Sequence, residues 1–258
     1  MGYDKDMDKR GKSVYAFVDA ANLFYGGEKS LRWRMDYERL IAYLREKLLV
    51  TKVFYYAGVD VDTYRSEEGK GINLDRLVKY YEEELVKKGR PEQETELLTR
   101  HLERAKFYRD LERFGYELRI KPTKVFVSAE GTTTTKANCD VDLTFDLMRF
   151  MSQYKEAIVL SGDGDFAPVV EYLQKKHKKV RVLARFERTA REMKELAGDD
   201  FIDLVSIRGE VEAEKMKRVK KEVAEKKKIE KKQFVPKMKV TRERKLPRKD
   251  IPTFRKGF

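Results

Sequence analysis

The chain has 258 residues, 41% hydrophobic and 40% charged, with a formal net charge of +13. This suffices for one large α/β domain with a tail, although the charged share is well above the usual quarter. A single cysteine, Cys139, and two histidines, His101 and His177, exclude an internal disulfide framework, a CxxC zinc site and a histidine-rich metal centre.

No apolar run approaches the roughly 18 residues of a membrane span, and MGYDKDMDKRGKS lacks the apolar centre of a signal peptide. A cytoplasmic protein without a membrane partner is the expectation. The charge is unevenly placed. Residues 208–258 hold 20 Lys and Arg against 8 Asp and Glu, a net of +12, so the preceding 207 residues are close to neutral.

After a polar extension over 1–12, SVYAFVDAANLFY opens with a strand over 14–18 that ends at Asp19. Residues 36–50 carry apolar side chains at helical spacing, with Asp36 as N-cap. TKVFYYAG, 51–58, reads as a second buried strand. Residues 73–114 are charged and helical, broken near Gly89-Arg90-Pro91. YELRIKP and TKVFVSAE read as short strands separated at Pro122. A threonine-rich loop, EGTTTTKANC, leads to a helix over 140–154. Then come a strand over 157–160, a helix over 166–176, a strand over 179–184, a helix over 189–197 and a strand over 201–205. Strands alternating with helices imply a parallel sheet covered on both faces, with sites at the carboxyl ends of the strands.

Three segments bring acids to that rim. FVDAANLF supplies Asp19, with Asn22 three residues on. KANCDVDLTFDLM supplies Asp140, Asp142 and Asp146. SGDGDF supplies Asp163 and Asp165. Two unit charges about 5 Å apart repel by roughly 3 kcal/mol at an effective dielectric of about 20. Such acids point into water, cap a helix or share a counter-ion, and Mg2+ or Mn2+ is the dication that prefers a few carboxylates. Each piece also has a plainer reading. Asp163 or Asp165 could cap the helix near Phe166, Asp19 could be an ordinary strand-end carboxylate, and Asp140 could be an N-cap. Asp142, Asp146 and Arg149 could be a solvated helix face.

Two look-alikes are set aside. Gly162 to Ala167 fits GxGxxA, but its two aspartates would repel a pyrophosphate. Asp140 to Thr144 fits the DxDxT of aspartate-based phosphatases, but polar TTKAN precedes it where that motif needs a buried strand. Trp33, Tyr55, Tyr56 and Phe126 read as core or surface aromatics rather than base-stacking platforms. Cys139 reads as a packing residue, and His101 and His177 receive no role.

Taken together, FVDAANLFY, KANCDVDLTFDLM, VLSGDGDFAPVV, VRVLA and AGDDFIDLV resemble the NYN domain, a LabA-like branch of the PIN-like nucleases. The resemblance covers about 13–207. It implies a PIN-like three-layer α/β/α sandwich that cleaves RNA phosphodiesters with Mg2+ or Mn2+. The metal-binding acids it implies are Asp19, Asp140, Asp163 and Asp165, with Asp142 and Asp146 as possible additional acids. Asn22 would orient Asp19 or contact a phosphate, and Lys136 would approach the scissile phosphate. Ala137 stands where the family commonly has glycine. A helical insertion over about 60–114 could form a lid or a homodimer surface. The Lys/Arg-rich tail, 208–258, with Lys226, Lys227 and Lys228 at its centre, suits an RNA phosphate backbone. The alternatives are an inactive NYN-type RNA-binding adaptor and hydrolysis of a small nucleotide.

Overall fold

The computed structural model describes residues 13–59, 72–127 and 133–213; the side chains of Glu28 and of residues 124–127 and 133–136 lie outside that description. The strand β1 (Val14–Asp19) is buried along its whole length. Its alternation divides the core: Val14, Ala16 and Val18 face one apolar cluster, while Tyr15 and Phe17 face another. A strand buried on both faces reads as a continuous apolar run, which is what VYAFV is.

A helical run leaves Asp19 and passes through a π-helical stretch over Leu23–Glu28. It is followed by α1 (Tyr37–Leu48), whose N-cap Asp36 accepts the Arg39 amide at 3.1 Å. Next come β2 (Val50–Val59), α2 (Leu74–Val86) and α3 (Glu92–Phe114). Gly115, at φ 95°, ends α3 in a left-handed turn that a side chain would strain. The chain continues through β3 (Glu117–Pro122), β4 (Lys124–Val127), β5 (Thr133–Lys136), α4 (Asp140–Arg149), β6 (Glu156–Leu160), α5 (Ala167–Lys175), β7 (Lys179–Ala184), α6 (Arg191–Ala197), β8 (Phe201–Asp203) and α7 (Arg208–Val211).

Six strands form one parallel sheet in the order β3-β2-β1-β6-β7-β8. Leu40 and Leu44 of α1, Leu77 and Tyr81 of α2, and Leu111 of α3 join the cluster on one face. Leu143 and Leu147 of α4, Val170 and Leu173 of α5, and Met193 of α6 join the other. The expected α/β/α sandwich with a central parallel sheet is therefore the fold.

Three expectations need correcting. The threonine-rich stretch holds a strand, β5, paired antiparallel with β4; β-branched threonines suit a strand even in a polar run. The α4 helix stops at Arg149 rather than reaching Tyr154, whose hydroxyl instead donates to the Leu147 carbonyl at 2.6 Å. Residues 208–213, read as the opening of the tail, pack on the body. Val211 is buried, its carbonyl accepts the Asp36 amide at 2.8 Å, and Met35 pairs with Glu212. The rest of the basic tail, with Lys226, Lys227 and Lys228, lies outside the described residues.

Candidate functional site

The sheet order makes β1 and β6 neighbours from which the chain winds outward in opposite directions. That is a topological switch point, and the crevice at its carboxyl end is where α/β sheets bind ligands. Asp19 ends β1 there, with only 7% of its surface exposed. One carboxylate oxygen accepts the Asn22 amide at 3.1 Å, and the other accepts the Ser161 hydroxyl at 3.0 Å. The Ala21 amide also bonds this carboxylate and favours its charged form.

The residues after β6, Ser161 to Asp165, form a strap across the crevice. The Asn22 side-chain oxygen accepts the Gly162 amide at 2.9 Å, so Asn22 ties the first acidic segment to the third. The Ser161 hydroxyl, while donating to Asp19, accepts the Asp163 amide at 3.2 Å. Asp163 accepts the Asp165 amide at 3.1 Å and caps the short 3-10 turn Gly164–Phe166. Asp163 thus caps this turn and not the α5 helix expected near Phe166, whose N-cap Phe166 makes no side-chain cap; the bond engages one of its two carboxylate oxygens.

Two glycines let the strap lie this close to α6. A Cβ on Gly162 would sit 2.6 Å from the Thr189 hydroxyl oxygen and 3.0 Å from its Cα, while the Gly162 carbonyl accepts the Ala190 amide at 2.9 Å. A Cβ on Gly164 would meet the Glu192 carboxylate at 2.4 Å.

Asp140 reaches the same rim from the start of α4. It is not an N-cap as expected but occupies the first turn, with its own amide bonded to the Asn138 side chain at 3.0 Å. Gly58 near the end of β2 clears the path, since a Cβ there would fall 2.3 Å from that of Ala137. Burial raises the pKa of Asp140, and the negative charges of Asp19, Asp163 and Asp165 raise it further, with Lys121 opposing. Burial likewise raises Asp19, against the lowering effect of its hydrogen bonds, and Asp163 adds to the rise. Asp140 thus feels the other three acids, and the charged state of both Asp19 and Asp140 is disfavoured.

The other two acids are engaged elsewhere. Asp146 is buried and accepts from the Tyr56 hydroxyl and from Arg119 Nε, each at 3.0 Å, and from Arg149 at 2.7 Å. It is a strut between α4, β2 and β3 rather than part of a solvated face. Asp142 pairs with Lys121. The Lys136 side chain lies outside the described residues.

Trp33, Tyr55 and Tyr56 are core residues as expected, while the side chain of Phe126 lies outside the description. Burial pushes the Cys139 thiol up to about 11, which suits packing and not nucleophilic attack. Sequence reasoning missed Ser161, although it stands inside SGDGDF directly after the strand. It also missed Lys121, which only the pairing of β3 with β2 brings toward the start of α4.

Every carboxylate here is a hard oxygen donor, which fits Mg2+ or Mn2+ in chemical type. Among the described residues, however, no three acids are already gathered closely enough to hold an ion together. Nor is any helix there long and apolar enough to cross a membrane.

Against known proteins, the sequence pattern of the NYN domain matches residues 13–206. "Low amplitude and bright protein LabA" of Synechococcus elongatus is 25% identical over 207 residues, covering 79% of this chain and 89% of LabA. VPA0982 of Vibrio parahaemolyticus, a crystallised protein of unknown function, is similar in fold. Its TM-score is 0.51 at 20% identity, over 79% of this chain and 96% of its own. The match runs from the first residue of the body through β8 and past the whole acidic rim, and the chain belongs to the NYN domain family.

Proposed function

We propose that the chain hydrolyses RNA phosphodiester bonds at the rim formed by Asp19, Asp140, Asp163 and Asp165. The observation that carries this reading is the buried Asp19 at the switch point, destabilised as an anion by burial and by Asp163. Asp140 shares that destabilisation. Groups so perturbed in a crevice are functional-site candidates.

Asp19, Asp140, Asp163 and Asp165 would hold Mg2+ or Mn2+. A bound dication supplies charge neutralisation for the phosphodiester and a more acidic attacking water. The chain's own groups prepare the place. Asn22 and Ser161 fix both oxygens of Asp19 and, through Gly162 and Asp163, lock the strap beside it. The Lys-rich tail would attract the RNA backbone without reading sequence. A single-stranded RNA incubated with the full chain and Mn2+ should be cut, and Asp19→Asn and Asp163→Asn should stop the cutting while melting cooperatively. Variants that cut as fast as the parent would overturn the reading.

A second reading, an NYN-type RNA-binding adaptor without hydrolysis, is favoured by one observation: no three described acids are drawn together for an ion. Binding of RNA with no cleavage in Mg2+ or Mn2+ would select it.

A further inference from the structure

Two large aromatic side chains stand out of the surface immediately after Asn22. Phe24 is 46% exposed and Tyr25 63% exposed, while their neighbours Leu23 and Gly27 are buried. The cause is local. The helix leaving β1 takes a π-helical course over Leu23–Glu28, in which the Lys29 amide bonds the Phe24 carbonyl five residues back. The wider turn sends Leu23 inward and both aromatics outward. Such π segments are rare and cluster at functional sites.

The two rings meet edge to face at 5.1 Å, and the Lys29 ammonium lies 5.3 Å from the Tyr25 ring centre. The next turn is pinned to the end of β7, where Arg185 bonds the Ser30 hydroxyl. The pair sits beside the acidic rim: a Cβ on Gly26 would lie 3.4 Å from the same Asn22 oxygen that holds the Gly162 amide. The segment 29–34, KSLRWR, adds Lys29, Arg32 and Arg34 with no acid among them.

We propose that Phe24 and Tyr25 form a base-stacking platform that holds single-stranded RNA at the acidic rim. This inference rests on the RNA-directed reading above. The flat, exposed rings offer stacking to any unpaired base, and the cations that follow match the phosphates between bases. A paired base in a duplex has its faces covered, so the platform selects single strands.

The test uses the full chain with chelator present, so that nothing is cut. Binding of a short fluorescein-labelled oligouridine and of a labelled blunt RNA duplex is followed by anisotropy across salt. Tyr25→Ala should weaken the single strand about tenfold, leave the duplex unchanged and leave the salt slope unchanged, since no charge is removed. Tyr25→Trp should keep parental affinity. Lys29→Gln should flatten the slope by about one. Parental affinity in the Phe24→Ala/Tyr25→Ala double variant would overturn the platform, as would equal losses on single strand and duplex, or failure of the parent to bind the single strand. These outcomes are separable from the hydrolytic reading. A platform that fails while Asp19→Asn still stops cleavage fails alone, and a platform that holds in a protein that never cuts RNA leaves only hydrolysis refuted.

Discussion

Replacing Asp146 with alanine separates a strut from a ligand. The Asp146 side chain is 5% exposed and holds the buried Tyr56 hydroxyl at 3.0 Å, Arg119 at 3.0 Å and Arg149 at 2.7 Å. Without it, the Tyr56 hydroxyl is left inside the core with no acceptor, at a cost of about 1–3 kcal/mol. The arginines are less costly to release, because their side chains are 32% and 46% exposed and can rehydrate. Discounted for that screening, they add about 1 kcal/mol. The sum, about 3 kcal/mol, lowers Tm by roughly 6–12 °C in a domain of this size. Tyr56→Phe removes the stranded hydroxyl, so Asp146→Ala should cost about 1–2 kcal/mol less in that background. Differential scanning calorimetry of the three variants, with a Mn2+ titration of each, is the assay. An Asp146→Ala protein that melts within a degree of the parent but loses Mn2+ affinity would refute the reasoning and make Asp146 a ligand.

The same geometry gives further expectations. Gly162→Ala has to displace Thr189 or the strap, and overpacking of this kind costs about 1–3 kcal/mol; an unchanged melting curve would show the contact to be soft. Burial raises the folded pKa of Asp19 above the ordinary carboxylate value of 3.8, so the native state binds the extra proton and stability falls as pH rises from 3.8 through the folded pKa. Asp19→Asn, without divalent cation, should therefore melt above the parent at neutral pH, with the difference closing as the pH falls toward 3.8; a lower Tm across the range would contradict this. Ser161→Ala removes a hydrogen bond that lowers the pKa of Asp19. The acidic limb of its cleavage profile should therefore move to higher pH, and an unmoved limb would deny Ser161 that influence.

Much of this was legible because local sequence and tertiary environment agree. VYAFVD reads as a strand buried on both faces and is one, and Asp36 reads as a cap and caps α1. SGDGDF reads as acids at the end of a buried strand and is that, whereas the contacts that Gly162 and Gly164 make with Thr189 and Glu192 were not legible in it. Where the reading fell short, distant partners decided the outcome. Asp146 lies on the same helix as Asp140, yet its surroundings come from Tyr56 and Arg119, far upstream in the chain. Val211 looks like one apolar residue in a charged tail, and only the Asp36 amide bonded to its carbonyl marks it as part of the body. Phe24 and Tyr25 continue an apolar run, and only the π-helical turn shows that they face outward.

Titration of the full chain with Mn2+, followed by the loss of the free-ion paramagnetic resonance signal, tests the acidic rim most directly. The parent and Asp146→Ala should both take up Mn2+, while Asp19→Asn and Asp163→Asn should not. Uptake by Asp19→Asn equal to that of the parent would contradict the account.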